Sequence, residues 1–262
     1  MTVDGTGALR AVAVIPARYG SVRLPAKALL AETGRALVVH AAERARQARR
    51  LHDVVVATDD LRIFEVVARA GFTVKMTRAD HPTGSDRIGE LLPTLDADVV
   101  VNVQGDEPEI EPDLLDALIL RLESDPGVDV ATAATPLQDR SRLADPNVVK
   151  VVVDRSDRAL YFSRSALPGG KPGGPDPWSL GRGPLSHVGV YAYRRSALET
   201  FLSLPPSPLE LAEGLEQLRL VEYGIRYGVV VTPEATRGVD TPEDYAAFVA
   251  RDRARRETEP RR

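Results

Sequence analysis

The side chains best suited to chemistry on a charged substrate are two aspartates and a group of cations, each standing where an apolar run ends. Val99-Val100-Val101-Asn102-Val103 stops at Gln104-Gly105-Asp106-Glu107-Pro108. A carboxylate delivered after a buried strand, next to a glycine that lets backbone or ligand come close, lies where open α/β sheets bind ligands. Asp106 is therefore a candidate metal ligand; the alternative reading is a turn aspartate capping the helix that begins near Pro112. Asp240 follows Gly238-Val239 and precedes Thr241-Pro242-Glu243-Asp244, a capping-box-like helix start. Capping explains Thr241 and Asp244 and leaves Asp240 unexplained.

The cations lie after the first apolar run. Ala11 to Ile15 ends at Pro16 and opens into a long loop that carries Arg18, Gly20, Arg23 and Lys27. Such a loop can wrap a polyphosphate with backbone N–H groups while Arg and Lys neutralise its charge; a merely solvated loop is the other reading. Neither the Walker spacing nor Gly-x-Gly-x-x-Gly is present. Two aspartates and a basic loop suit Mg2+ held jointly by carboxylates and substrate phosphates. In nucleotidyl transfer the protein mainly positions groups and neutralises charge, so this set suffices for attack of an acceptor oxygen on a nucleoside triphosphate.

The elements that must position these residues read as alternating strands and helices. Leu37 to Arg49 is predicted as a helix, Val54 to Ala57 as a strand, and Leu61 to Ala70 as a helix capped by Thr58 or Asp59. This alternation predicts a doubly wound parallel sheet. A polar stretch from Met76 to Arg87 leads into a helix at Ile88 to Leu92, with Ser85 or Asp86 as cap and Arg87 at the end that favours anions. His81, before Pro82, reads as a surface histidine. Pro112 to Leu122 places five Leu or Ile residues at helical spacing and is core.

Val128 to Ala134 and Val148 to Val153 are further strands, and Asp154 to Arg158 is a tight turn that starts an antiparallel excursion. Gly169 to Gly183, rich in Gly and Pro around Trp178, is either a mobile lid or a plain insertion. His187 to Tyr193 alternates as a strand and sets His187, Gly189, Tyr191 and Tyr193 on one face, a possible polar pocket. Leu209 to Glu222 is helical, and Glu216 and Gln217, between Leu215 and Leu218, are placed to point inward. Val229 to Val231 is a short strand before the last helix, and Arg251 to Arg262 reads as a solvated helix end or a partner-binding tail.

A chain of 262 residues with 43% hydrophobic and 27% charged residues is ordinary for a globular protein with a full core. The absence of cysteine excludes a disulfide scaffold, a thiolate metal site and a thiol nucleophile. A net charge of −4 argues against general nucleic-acid binding. No apolar run is long enough to span a membrane, and the first ten residues lack a signal-peptide layout, so a cytoplasmic protein is expected.

Several blocks, in order, cover the chain from about residue 11 to 248: Val14-Ile15-Pro16-Ala17-Arg18-Tyr19-Gly20-Ser21 with Arg23-Leu24-Pro25 and Lys27, Ala57-Thr58-Asp59, Asp80 to Arg87, and Gln104 to Pro108. They continue with Tyr161-Phe162-Ser163-Arg164, His187-Val188-Gly189-Val190-Tyr191, Leu215-Glu216-Gln217-Leu218-Arg219 and Gly238-Val239-Asp240-Thr241. As a set they strongly resemble the 3-deoxy-manno-octulosonate (KDO) cytidylyltransferases. The resemblance implies a mostly parallel, Rossmann-like α/β sheet flanked by helices, of the nucleotide-diphospho-sugar transferase type, with a small antiparallel subdomain. It further implies one domain: about 11–150 for CTP, about 151–235 for the sugar acid and dimerisation, and about 236–256 returning to the main sheet.

The implied reaction is CTP plus KDO giving CMP-KDO and pyrophosphate with Mg2+, in a homodimer that serves lipopolysaccharide or a related glycan. By the likeness, Asp106 and Asp240 hold the metal, and Arg18, Ser21 and Lys27 form the triphosphate loop. Arg87 and Gln104 match residues near the nucleotide, while Arg164, His187, Tyr191, Glu216 and Gln217 match the sugar-acid pocket. Three departures stand out. Ala26 replaces the glycine of the family's Arg-Leu-Pro-Gly-Lys, predicting a slightly different loop backbone; Ser85 replaces a Thr; and the Gly169 to Gly183 loop is longer. Two other functions remain on the sequence: a cytidylyltransferase for another acidic acceptor, such as 8-amino-KDO, a sialic-acid-like sugar or a phosphonate, and a non-catalytic nucleotide-binding protein. The latter predicts loss of Asp106, Asp240 or Lys27, and all three are present.

Overall fold

Runs of Val, Ile and Ala bury the strands, and amphipathic helices cover them. A computed structural model describes residues 9–21, 23–233 and 236–258. The fold is α/β, with mostly parallel strands flanked by helices and a smaller antiparallel part. Two compact units divide the chain, and the division is not a simple cut in sequence. One comprises Val12–Asp96, Asn102–Asp113 and the chain from Thr236 on; the rest of the described chain forms the other.

In the first unit, β1 (Ala11–Ala17), β2 (Leu51–Thr58) and β3 (Thr73–Met76) lie side by side in the order β3-β2-β1. β2 and β3 pair in parallel from Val55 opposite Thr73 to Thr58 opposite Met76. No strand is read at β3 from the sequence: it is four residues long and its side chains are mostly exposed. The unit's helices are α1 (Leu37–Ala45), α2 (Leu61–Arg69), α3 (Gly84–Leu91) and the last helix, Pro242–Thr258. Two expected caps are corrected. Asp60 caps α2 by accepting from Arg62 N, since Asp59 is drawn to Arg87, and Thr83 caps α3 a turn earlier than expected by accepting from Asp86 N. The last helix starts as read: Thr241 Oγ1 accepts from Asp244 N at 3.2 Å, and Asp244 Oδ2 accepts from Thr241 N at 2.9 Å.

In the second unit the strand order is β4-β8-β5-β9, with β4 (Val99–Asn102) contributing Val99–Val101, β5 (Val130–Pro136), β8 (Leu185–Arg194) and β9 (Tyr227–Val231). β5 pairs with β9 in parallel and with β8 antiparallel. β6 (Lys150–Val153) and β7 (Ala159–Ser163) form the antiparallel hairpin expected around Asp154 to Arg158. The helices are α4 (Pro112–Ser124), most of which lies here, α5 (Arg195–Ser203), α6 (Pro208–Glu213) and α7 (Gln217–Glu222), so the last helix is α8. The single helix expected over Leu209 to Glu222 is thus two. Gly214 adopts a left-handed conformation, φ 61°, which ends α6. The Gly169 to Gly183 loop is anchored rather than bare: Trp178 Nε1 donates to Leu137 O at 3.0 Å, Arg140 stacks over the indole, and Arg182 pairs with Asp157.

Candidate active site

In the first unit, an apolar cluster explains how residues far apart in sequence meet. Leu24, Leu37, Val239, Tyr245, Phe248 and Val249 pack together, which fastens the loop after β1 to the segment that opens α8. Each such side chain fully buried contributes about 1.5–3 kcal/mol. Tyr245 adds a polar tie by accepting from Glu32 N at 2.8 Å. Because Val239 is held in this core, its neighbour Asp240 has a fixed origin. Val239 N donates to Asp106 O at 2.8 Å, which joins the two aspartate-bearing segments. Gly105 suits the close approach beside them: a Cβ there would lie a tight 3.0 Å from Pro16 O at the end of β1.

The result is a charge cluster around Lys27. Its ammonium donates to Asp106 Oδ2 at 2.5 Å and to Asp240 Oδ1 at 3.1 Å, and Arg23 reaches the same Asp240 oxygen at 2.9 Å. The Lys27 side chain is 15% exposed, against 32% for Asp106 and 44% for Asp240. Lys27 begins a short 3-10 turn, Lys27–Leu29, preceded by Ala26 at φ 52°, ψ 28°. This is the left-handed conformation that glycine adopts without cost, so the alanine keeps a glycine-like backbone under strain.

Glu107 is a residue that sequence reasoning did not single out, although it belongs to the same Gln104 to Pro108 run. Burial, reinforced by the negative charge of Asp106, pushes its carboxyl up to about 7, and Oε2 has no hydrogen-bond partner among the described residues. Near neutral pH it is therefore only about half ionised, unlike an ordinary glutamate. The groups fit Mg2+: a cationic ammonium already stands between two carboxylates, and Mg2+ commonly takes one or two carboxylates with the rest of its shell from water and phosphate oxygens. Among the described residues no cluster of three or more His, Cys, Asp or Glu offers a metal cage made of protein alone.

The other nucleotide candidates stand differently. Arg18 is exposed and Ser21 partly so, on the same loop as Lys27. Gln104 donates to Asn102 Oδ1 at 3.4 Å. Arg87 is 3% exposed and heavily committed, donating to Asp59 Oδ2 at 2.7 Å, Thr77 Oγ1 at 2.5 Å and Arg78 O at 3.1 Å. It ties the ends of β2 and β3 together.

In the second unit two of the sugar-acid candidates, His187 and Tyr191, form part of an aromatic wall. His187 meets Phe162 edge to face at 5.0 Å and Tyr191 at 5.5 Å between ring centroids; Tyr191 stacks on Tyr193 at 5.7 Å, and Phe162 meets Tyr227 at 5.6 Å. Burial pushes the His187 imidazole down to about 3, so it is neutral at physiological pH. Burial first, with nearby tyrosines and Glu216 adding to it, raises Tyr193 and Tyr227 well above the phenol range, which places the Glu216 charge near this wall. Gln217, 6% exposed, begins α7 directly after Glu216. Two residues on, Arg219 makes a bidentate pair with Glu210 at 2.7 and 2.6 Å and lies 4.2 Å from the Phe201 ring centre.

Arg164 is held by backbone. Its Nε donates to Glu213 O at 2.7 Å, NH1 to Pro146 O at 2.9 Å and NH2 to Gly214 O at 3.3 Å, at the carboxyl end of α6. Two of its five N–H groups are left by these bonds for an anion. Lys150 supports it from within: fully buried, its ammonium donates to Asp145 O, Val148 O and Arg164 O at 2.9, 2.5 and 2.5 Å.

An α/β fold with a basic loop, two aspartates at one lysine and a separate polar-aromatic wall is that of a nucleotidyltransferase, and the cytidylyltransferase family model matches residues 12–227. The chain is 48% identical over 237 residues to the 3-deoxy-manno-octulosonate cytidylyltransferase of Syntrophotalea carbinolica, covering 88% of this chain and 94% of that protein. It is 46% identical over 245 residues to the protein of the same name from Geobacter metallireducens, covering 90% and 95%. A solved CMP:2-keto-3-deoxy-manno-octonic acid synthetase complexed with CTP superposes with a TM-score of 0.87 at 42% identity, over 94% of this chain and 99% of that one. The chain belongs to the 3-deoxy-manno-octulosonate cytidylyltransferases, within the cytidylyltransferase family.

Proposed function

We propose that this protein joins CTP and KDO to give CMP-KDO and pyrophosphate. The observation that supports this most is the set of Lys27, Asp106 and Asp240 in one cluster, in a chain nearly half identical to proteins named for this activity. In the reaction the anomeric hydroxyl of the acid attacks the α-phosphorus of CTP in line. A new C–O–P link forms, the bond from that phosphorus to the β-phosphate bridging oxygen breaks, and the hydroxyl proton passes to water.

Asp106 and Asp240 would hold Mg2+, which when bound neutralises phosphate charge and stabilises the charge that develops on the departing oxygens. Lys27, with Arg18, Ser21 and Arg23 on its loop, balances the negative charge of the triphosphate. Gln104 and Arg87 serve the nucleotide, Arg87 by fixing the ends of β2 and β3. Arg164 offers its remaining N–H groups to the acid's carboxylate, while His187, Tyr191, Glu216 and Gln217 contact its hydroxyls. Action as a homodimer, in the cytoplasm, supplying lipopolysaccharide or a related glycan, belongs to the same proposal. No described helix is long and apolar enough to cross a membrane.

The test is pyrophosphate release from CTP with Mg2+, using KDO, 8-amino-KDO and a sialic acid as acceptors. Release with KDO alone is expected. Release with another acid alone would keep the chemistry and reassign the acceptor, and no release with any of them would overturn the reading.

A further inference from the structure

The wall around His187 depends on an irregularity in β8. In a regular strand, residues four apart on one face are separated by roughly 13 Å. His187 and Tyr191 nevertheless bring their ring centroids to 5.5 Å. The register explains the compression: Thr132 of β5 lies opposite Tyr191, while the next residue, Ala133, lies opposite Val188, so Gly189 and Val190 are skipped. The strand bulges there and re-aims its side chains.

Thr132, fully buried, fills the bulge. Its Oγ1 donates to Val190 O at 2.8 Å, with Val188 O more distant at 3.4 Å, and stands 2.9 Å from His187 Nε2. A hydroxyl has one proton to give. With that proton committed to the bulge carbonyl, the contact to His187 requires the imidazole to be the donor. Nε2 then carries the hydrogen, and Nδ1 is the bare acceptor. Burial, which keeps the ring neutral, agrees with this assignment.

We propose that Thr132 is a positioning residue: its hydroxyl closes the β8 bulge and holds His187 as the Nε2–H tautomer, so that Nδ1 accepts a hydrogen bond from a hydroxyl of the acidic sugar. The inference rests on the reading of His187 as a sugar-acid contact. It extends that reading to a residue of another strand, 55 positions away in sequence.

The experiment pairs Thr132→Val, which keeps shape and removes the hydroxyl, with Thr132→Ser, which keeps the hydroxyl. Pyrophosphate-release kinetics are read for KDO and CTP separately, with thermal unfolding of each variant. The valine variant is expected to raise the KM for KDO about tenfold and leave the KM for CTP unchanged, because an imidazole donor is left unpaired and the ring is no longer oriented. The serine variant is expected to restore the KM for KDO. An unchanged KM for KDO in the valine variant, a rise in both KM values, or failure of serine to rescue would overturn the proposal. Independently of any variant's folding, 15N NMR of the wild-type imidazoles, assigned with His187→Gln, is expected to show the His187 proton on Nε2; a proton on Nδ1 would overturn it. Absence of any reaction of the wild-type protein with KDO would instead overturn the proposed function, and the nitrogen spectrum would still decide the tautomer.

Discussion

Around Lys27, charged side chains meet within 2.5 to 3.1 Å on loops, and the two aspartates are about one-third to nearly one-half exposed. Around His187, neutral rings pack at 5.0 to 5.7 Å on paired strands, in surroundings that push the imidazole down to about 3. The contrast fits what each would bind under the proposed function. A metal–triphosphate brings large charge and exchanges water, so its partners have to be ionised and reachable. A sugar acid is mostly hydroxyls, so its partners have to be neutral donors and acceptors held in fixed orientation, with one cation for the carboxylate. Arg164, clamped by three backbone carbonyls, is the rigid cation that the proposed function assigns to the carboxylate.

The largest effect is expected on the charged side. Asp106→Asn keeps shape and, under the proposed function, would weaken the hold on the cation, so it should lower turnover by about three orders of magnitude with little change in unfolding temperature. Pyrophosphate release together with thermal unfolding checks both halves of this. Near-normal turnover would remove Asp106 from the mechanism.

The neutral side should fail through stability. The buried Arg219–Glu210 pair joins α7, two residues after Gln217, to α6, and hydrogen bonds from Arg219 and Ser207 hold the Glu210 carboxyl below its ordinary range against the pull of burial. Arg219→Met strands that carboxylate and should cost about 3 kcal/mol in urea unfolding. A loss near zero would mean that the pair does not support this wall.

The two sides should also answer pH with opposite slopes. His187, lowered from 6.5 to about 3, takes up a proton more readily in the unfolded chain, so its contribution to stability is complete above pH 6.5 and is lost as pH falls toward 3. Glu107, raised from 4.5 to about 7, contributes fully below pH 4.5 and loses that contribution as pH rises through 7. In urea midpoints measured from pH 4 to 9, His187→Gln should remove a rise in stability with pH below about 6.5, and Glu107→Gln should remove a fall in stability between about pH 4.5 and 7. The smallest change concerns the loop backbone. Ala26→Gly relieves a left-handed alanine and should stabilise the protein by about 1 kcal/mol, read as a shift in the urea midpoint.

The sequence exposes the charged cluster more readily than the neutral wall, for physical reasons. Asp106 sits beside Gly105 at the end of an apolar run, and Asp240, two residues after Gly238, is left over once Thr241 and Asp244 have formed the cap, so local rules isolate them. That Lys27 reaches Asp240 across 213 positions is decided by the Leu24, Val239 and Phe248 packing, which no local pattern encodes. Alternation in β8 reveals which face His187 and Tyr191 share. The two-residue skip opposite Thr132 leaves that alternation intact, so neither their closeness nor the role of Thr132 is legible. The cap of α2 shows the same limit: Thr58, Asp59 and Asp60 are all competent, and a buried Arg87 decides which aspartate caps the helix.

The most direct test of this division of labour is a kinetic comparison of Lys27→Ala and His187→Ala, with CTP and KDO varied separately at saturating Mg2+. The expected result is a raised KM for CTP with an unchanged KM for KDO in the first variant, and the reverse in the second. Parallel changes in both KM values in either variant would contradict the account.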